Sequence, residues 1–345
     1  VAEKILIRAT NWVGDAVMSL PAIREVRRVF PRAHLAVLAK PWVADLYARE
    51  RVIDRVIPYP APPGWRGWTG KWKTAAALRA ERFDQAILLQ NAFEAALLVW
   101  LARIPVRIGY DRDGRGRLLT HPVRVPREGE IPRHQRHYYL ELLRRAGLSR
   151  ETPAVDAIRL DGIAEAARAG EGHFAAAGLR PPIVGVSPGA AYGNAKRWLP
   201  EHFAEAAARL ACARGAAVAL FGSAAERPLC DSIGSAIRQQ GAAAVVFAGS
   251  TSLRQFIEMA AACEVFLTND SGAMHIASAL GIPTVTVFGA TDERATGPTG
   301  PRTRVIREPV ECSPCLLREC PIPGHPCMAR VPPARVVQAA LDLLK

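Results

Sequence analysis

The chain has 345 residues, half of them hydrophobic, a length that calls for two domains and a composition too apolar for a mainly disordered protein. Its 45 Lys+Arg outnumber 32 Asp+Glu for a formal net charge of +13, which points to an anionic partner: nucleic acid, an anionic membrane surface or a phosphorylated substrate. No apolar run reaches the ~20 residues that cross a bilayer, and the first nine residues pass from a charged start into a strand pattern without a secretory core, so the expected compartment is the cytoplasm.

In the first half, β-branched and apolar runs read as strands at 5–8, 35–38, 52–57, 85–89 and 106–110, with helix-period segments at 20–29, 42–48 and 93–103. A Pro-rich stretch, 58–70, carries Trp65 and Trp68 and reads as an exposed loop. The rhythm restarts in the second half. Strands at 183–187, 218–221, 245–248, 265–268 and 284–288 alternate with helices at 201–214, 227–239, 253–262 and 273–280. Such alternation builds parallel sheets from βαβ units, so the expected fold is α/β, with two Rossmann-like halves. The break between them falls in 161–182, where an Ala-rich helix ends at Gly178 and Pro181-Pro182 precede the next strand. This reading gives domains of 1–165 and 166–331, followed by a docking helix at 332–345 that could return to the N-terminal domain.

The charge is unevenly placed. Residues 1–165 hold 28 Lys+Arg and 18 Asp+Glu, a net +10, and the remainder hold 17 and 14, a net +3. Between Arg103 and Arg145 there are eleven arginines and five acids, among them Arg107, Arg115, Arg124 and Arg133. Few aromatics are interleaved and no helix-turn-helix, zinc-finger or RNA-binding signature is present, which argues against nucleic acid. The plainer reading of this stretch is a solvated, arginine-rich face.

Three loops carry the chemistry. The first strand runs into Asn11-Trp12-Val13-Gly14-Asp15, where a doubly wound fold gathers ligands. An acid there serves either as a helix N-terminal residue favoured by the dipole or as a general base, and the lone glycine argues against a dinucleotide fingerprint. The matching segment of the second half, 187–202, offers a small glycine-bearing loop and Lys196, which suit a diphosphate, although a single loop lysine is also a common surface residue. In Thr268-Asn269-Asp270-Ser271-Gly272, a strand turns into a helix whose free N–H groups can hold a phosphate, with His275 one turn inside. Plain helix capping is the alternative for Asp270 or Ser271, and a structural role for His275.

Together these segments, with Lys196-Arg197-Trp198-Leu199-Pro200, the run from Asn269 to Pro283 and Phe288-Gly289-Ala290-Thr291-Asp292, resemble the bacterial lipopolysaccharide heptosyltransferases of glycosyltransferase family nine. Within that family the chain looks most like the ADP-heptose:lipopolysaccharide heptosyltransferase II subgroup. The resemblance implies a GT-B fold of two Rossmann-like domains facing a central cleft, with ADP-L-glycero-D-manno-heptose as donor on the C-terminal domain. It implies a lipid A inner-core acceptor on the N-terminal domain, at the inner face of the inner membrane. The family's base matches Asp15, its acceptor loop Asn11, Trp12 and Gly14, and its donor-diphosphate lysine Lys196. Asp270, Ser271, Gly272 and His275 match its phosphate turn, Thr251 its adenosine contact and Glu226 its ribose-binding acid, while Tyr192 stands where the family has Ser or Thr. The expected reaction is inverting; no second carboxylate or Asp-x-Asp cluster is evident, so turnover without a divalent ion or cofactor is expected, and a monomer is favoured over an oligomer. Two other classes remain open at this point: a nucleotide-sugar 2-epimerase of GT-B fold and a non-catalytic basic binding protein.

Of seven cysteines, Cys212, Cys230 and Cys263 read as small core residues, and Cys312, Cys315, Cys320 and Cys327 cluster around His325. Four cysteines within 16 residues could supply a tetrahedral zinc site, but only one Cys-x-x-Cys is present, so the expectation is no metal, with structural zinc as the lesser alternative.

Overall fold

The computed structural model of the chain describes residues 3–60 and 65–345, apart from the side chains of 65–68. It divides into two compact units, Val1–Val155 and Asp156–Lys345.

In the first unit, β1 (Lys4–Arg8), β2 (His34–Ala39), β3 (Arg55–Pro58), β4 (Gln85–Leu88), β5 (Val106–Tyr110) and β6 (His121–Val123) form one parallel sheet in the order β3-β2-β1-β4-β5-β6. Its crossovers include α1 (Val13–Val29), α2 (Pro41–Tyr47), α3 (Trp65–Glu81) and α4 (Phe93–Leu101), and α5 (Gln135–Arg145) follows β6. Ile5, Leu6 and Ile7 are fully buried, as befits a strand covered on both faces. Strand order reverses between β1 and β4, so the loops leaving those two strands diverge and open a crevice at the sheet's carboxyl edge.

Two expectations change here. Helix α1 begins at Val13 rather than near Leu20, in spite of Gly14 and Pro21, because Ala16, Val17, Met18, Ser19 and Leu20 are all buried. Tertiary burial outweighs helix propensity, and Gly14 and Asp15 therefore lie in the first helical turn instead of a loop. Residues 65–70, read as loop, are the start of α3; the side chains of Trp65 and Trp68 lie outside the described residues.

Much of the arginine-rich stretch is internal structure. Arg107 donates to the carbonyls of Leu118 and Ile104, and the fully buried Arg115 to those of Tyr110 and Gln90. Arg124 and Arg145 share Glu130, whose carboxyl their hydrogen bonds and the Arg127 N–H hold down at about 2, while Arg133 pairs with Glu128 and Arg144 with Glu141. These arginines bind their own chain, which corrects the view of the stretch as a free anionic-partner surface.

The second unit repeats the topology. Strands β7 (Ile183–Ser187), β8 (Ala217–Leu220), β9 (Ala244–Val246), β10 (Val265–Asn269), β11 (Thr284–Phe288) and β12 (Thr303–Arg307) are parallel in the order β12-β11-β10-β7-β8-β9, the same 3-2-1-4-5-6 pattern within the unit. Its helices are α6 (Ile163–Ala176), α7 (Pro200–Arg214), α8 (Arg227–Gln239), α9 (Leu253–Ala261), α10 (Gly272–Ala279), the short α11 (Glu293–Thr296) and α12 (Pro326–Ala329), and α13 (Pro333–Leu343).

The division between the units falls ten residues before the expected 165/166. Residues 156–165 lead into α6, the Ala-rich helix, which packs along α9. Gly170 makes that approach feasible, since a Cβ there would stand 2.0 Å from the Glu258 carbonyl oxygen, and His173 Nε2 lies 3.0 Å from Glu258 Oε2. The C-terminal helix docks within its own unit: Val336, Val337 and Ala340 join the core shared by α7 and the sheet, and the helix packs against α7, β11 and β12.

Candidate functional site

Strand order in the second unit reverses between β7 and β10, and both of its sequence-predicted phosphate loops leave the sheet there. Asn269, fully buried at the end of β10, ties them together: its Nδ2 donates to the Pro188 carbonyl at 2.7 Å, and its Oδ1 accepts from the Trp198 N–H at 2.9 Å. Lys196 is thereby brought to Asp270, with Nζ 2.5 Å from Oδ2 and side chains only 13% and 5% exposed. Thr291 Oγ1 donates to the same Oδ2 at 2.5 Å. Ser271 is the N-cap of α10, yet its hydroxyl lies 3.2 Å from Thr268 Oγ1 and makes no cap, so the first N–H groups of that helix receive no capping bond from the Ser271 side chain. Uncapped N–H groups beside a buried lysine can bind an anion. His275 is buried one turn inside α10.

The Cys-rich segment holds this loop from behind. The Tyr192 hydroxyl donates to the Leu316 carbonyl at 2.8 Å, Cys320 N–H donates to Asn194 Oδ1 at 3.0 Å, Ala195 N–H to the Arg318 carbonyl at 3.1 Å, and His325 Nε2 lies 3.1 Å from the Ala195 carbonyl. Gly193, at φ +154°, is obligatory because a Cβ would fall 2.0 Å from the Arg318 carbonyl oxygen. With its hydroxyl committed, Tyr192 offers its ring instead: the Lys196 ammonium lies 4.8 Å from the centroid and the Arg318 guanidinium 5.2 Å. Tyr192, which stands where the family has Ser or Thr, thus presents its ring to two cations and its hydroxyl to the protein's own backbone. Burial, reinforced by Cys312, Cys320 and Cys315, pushes the Cys327 thiol up to about 11. Among the described residues, no group of three or more His, Cys, Asp or Glu side chains is arranged to hold a metal ion.

Glu226 lies over Gly189, where a Cβ would be 2.0 Å from Oε1, and within 3.9 Å of Arg197. Its other oxygen is occupied by the N–H and hydroxyl of Ser223, a capping box on the 3-10 turn Ala224–Glu226 that leads into α8. Thr251 precedes the Ser252 cap of α9 on a neighbouring loop, held there by the Gly249 N–H donating to the Gly222 carbonyl at 2.9 Å. Of the residues expected at the donor, Tyr192 and Asp270 both meet Lys196, Glu226 comes near them only through Arg197, the chain neighbour of Lys196, and Thr251 is near only through its loop.

In the first unit, Asp15 occupies the first turn of α1, and the buried Tyr139 of α5 donates its hydroxyl to Asp15 Oδ1 at 3.1 Å. Burial first, then the Asp15 charge, pushes the Tyr139 phenol well above its ordinary value, so it remains a donor. Beside it, Tyr138 accepts a hydrogen bond from Asn91 Nδ2 at 3.0 Å, and Arg115 donates to Asn91 Oδ1 at 3.1 Å, which links Asp15's support to the loop after β4. In the loop after β1, the Asn11 carbonyl accepts from Trp42 Nε1 at 2.8 Å and its Oδ1 from Arg8 at 3.0 Å, and Trp12 is 55% exposed. Sequence reasoning missed Thr291, Arg318 and Tyr139. Thr291 was within reach, since it lies three residues past β11 in the Phe288–Asp292 segment that the resemblance includes; Tyr139 lies 124 residues from Asp15 and has no local signal.

Comparison with known proteins gives this geometry a context. Residues 71–325 match the model of glycosyltransferase family 9 (heptosyltransferase). The chain is 34% identical over 309 residues to lipopolysaccharide heptosyltransferase 2 of Escherichia coli, covering 88% of each chain. It belongs to glycosyltransferase family 9. The lipooligosaccharide heptosyltransferase 2 of Haemophilus ducreyi is 29% identical over 99% of both chains. The structure of E. coli ADP-heptose lps heptosyltransferase II superimposes with a TM-score of 0.82 at 30% identity, over 99% of this chain and 98% of that one. The family 9 fold is GT-B, which agrees with the two parallel six-stranded sheets. The chain is thus a heptosyltransferase-type enzyme, and the epimerase and simple binding-protein alternatives are not favoured. No helix among the described residues is long and apolar enough to cross a membrane.

Proposed function

We propose that this family 9 enzyme transfers L-glycero-D-manno-heptose from ADP-heptose, with inversion, to the first heptose of the lipopolysaccharide inner core, at the inner face of the inner membrane. One observation carries the donor assignment: Lys196 and Asp270 meet at 2.5 Å beside the uncapped start of α10. A sugar hydroxyl is a weak nucleophile, so Asp15 accepts its proton as the oxygen attacks the anomeric carbon. As the C–O bond to ADP breaks, negative charge grows on the diphosphate. Lys196 and the N–H groups at Ser271 and Gly272 stabilise that charge more in the transition state than in the ground state. Tyr139 orients Asp15, and Tyr192 with Asp270 and Thr291 orients Lys196.

The test is transfer by the purified chain from ADP-heptose to core acceptors carrying zero or one heptose, read by mass spectrometry in the presence and absence of excess EDTA. The expected result is addition of one heptose to the one-heptose acceptor, unaffected by EDTA. Addition only to the acceptor without heptose would overturn the acceptor assignment, and free heptose isomers without acceptor modification would overturn transfer itself.

A further inference from the structure

At the carboxyl edge of the first unit's sheet lies a group of cations that the reaction as described does not use. Arg8 ends β1 and Lys40 follows β2; they are only 2% and 6% exposed. Tyr59, just after β3, lies between them, with the Lys40 ammonium 4.0 Å from its ring centroid and the Arg8 guanidinium 5.4 Å. Lys71 of α3 approaches from the next element. Three cations thus gather around one carboxylate, Glu94 of α4, and that carboxylate is engaged on both oxygens. Tyr59 donates its hydroxyl to Oε1 at 2.7 Å, and Lys71 lies 3.1 Å from Oε2.

Lys40 is left with aromatic faces. Among the described residues no carboxylate lies within ion-pair distance of its ammonium; Tyr59 and, at 6.0 Å, Trp42 are its neighbours. Burial, then the Arg8 charge, lowers its pKa. Arg8 is no better compensated: its guanidinium donates to the Ala9 carbonyl and Asn11 Oδ1, and its Nε is buried without a partner. A buried cation lacking a counter-charge is costly and is tolerated where something anionic completes it. Trp42, whose ring centroid is 6.0 Å from the Lys40 ammonium, is 57% exposed, so one of that ammonium's neighbours is itself at the surface. The same Trp42 and Arg8 hold Asn11 in the loop that leads to Asp15.

We infer that Lys40, backed by the Arg8 charge and seated on Tyr59, is an anion subsite of the first unit that binds an oxyanion on the acceptor, phosphate or carboxylate, and so positions the acceptor beside Asp15. This rests on the transfer reaction proposed above. The aromatic seat keeps the ammonium charged while leaving its N–H groups for the ligand, and the excess positive charge steers an anionic acceptor to it.

The experiment measures transfer to the one-heptose acceptor by wild type and Lys40→Met, a variant that fills the same aromatic seat without the charge. The acceptor KM should rise at least tenfold and its salt dependence flatten, with kcat and the ADP-heptose KM within twofold of wild type and the melting temperature unchanged or higher. Lys40→Arg should recover most of the acceptor affinity. Dephosphorylated and carboxyl-amidated acceptors identify the anion, because the gap between wild type and Lys40→Met should close for whichever lacks it. An acceptor KM that Lys40→Met leaves within twofold, or a gap that survives both modifications, would overturn the inference. If wild type transfers no heptose, the proposed function fails instead, and the subsite is then read from thermal stabilisation by inorganic phosphate or acetate. Stabilisation of wild type but not of Lys40→Met supports it, and equal effects on both overturn it.

Discussion

Removing the Lys196 charge separates a structural role from a catalytic one. Lys196 and Asp270 are both largely buried and 2.5 Å apart, so Lys196→Met leaves a carboxylate that is 5% exposed with Thr291 as its remaining described donor. Breaking such a pair from one side costs about 3–5 kcal/mol, most of it the penalty of the orphaned charge. For a domain of the second unit's size, that corresponds to a fall in Tm of roughly 6–20 °C. Adding Asp270→Asn removes the orphan and leaves an amide that still accepts from Thr291, so the double variant should recover to within about 1–2 kcal/mol of wild type. Activity should not recover with it. Loss of a cation from a site where charge develops costs about 10²–10³ in kcat, and the double variant should keep that deficit in full. The assays are thermal unfolding of each variant and single-turnover transfer at saturating donor. A double variant that regained both stability and kcat would show that Lys196 only satisfies Asp270, and the donor assignment would fall.

Asp15→Asn should slow transfer by ~10²–10⁴ with ADP affinity unchanged, measured by kcat and by ADP titration; an unchanged kcat would remove Asp15 from the mechanism. Tyr139→Phe, which deletes the hydroxyl held on Asp15 Oδ1, should lower kcat by about tenfold with little effect on the donor KM, and an equal rise in donor KM would contradict its role in orienting Asp15. Gly193→Ala forces a Cβ against the Arg318 carbonyl, so the donor KM should rise along with faster proteolysis of the 312–327 segment, and wild-type values for both would show that the contact bears no strain. Glu130, held at about 2 against an ordinary 4.5, binds its proton less readily when folded. Its contribution to stability is therefore complete above pH 4.5 and disappears as pH falls towards 2, so Glu130→Gln should flatten the dependence of Tm on pH across that window.

The alternation of apolar strands with helix-period segments was enough to anticipate both parallel sheets, because strand interiors such as 5–7 and 183–186 are short runs without polar residues and with no competing pattern. What the sequence hid were elements whose formation depends on distant partners. Helix α1 runs through Gly14 and Pro21 because five consecutive residues bury against the sheet, and α6 belongs to the second unit because Gly170 admits the α9 backbone. β6 is three residues long at a sheet edge and carries no periodicity. The site divides in the same way. Asp15, Lys196 and Asp270 follow closely on the first strand, the seventh strand and the tenth, where each chain segment passes towards a helix, a position that itself marks them. Tyr139, Arg318 and the Lys40–Tyr59 contact join elements remote in sequence, where only the folded topology supplies the signal.

The two units reach similar topologies and treat charge at the switch point in opposite ways. In the second, the lysine is answered within the protein by Asp270 and Thr291, so the resting site is close to neutral and an incoming diphosphate must share the ammonium with a carboxylate. Such a site binds its donor modestly and gains most when the leaving diphosphate takes on further charge, which is the differential stabilisation that lowers a barrier. In the first, Asp15 is supported by a neutral phenol whose proton burial holds in place, and the nearby cations of Arg8 and Lys40 outnumber their carboxylates. In the proposed mechanism that phenol orients Asp15, and the surplus positive charge is what an anionic acceptor would meet. The stretch from Arg103 to Arg145 carries eleven arginines against five acids and so supplies most of the first half's net charge, but many of those arginines are engaged with their own chain's acids and carbonyls, whereas Arg8 and Lys40 share a single nearby carboxylate, Glu94.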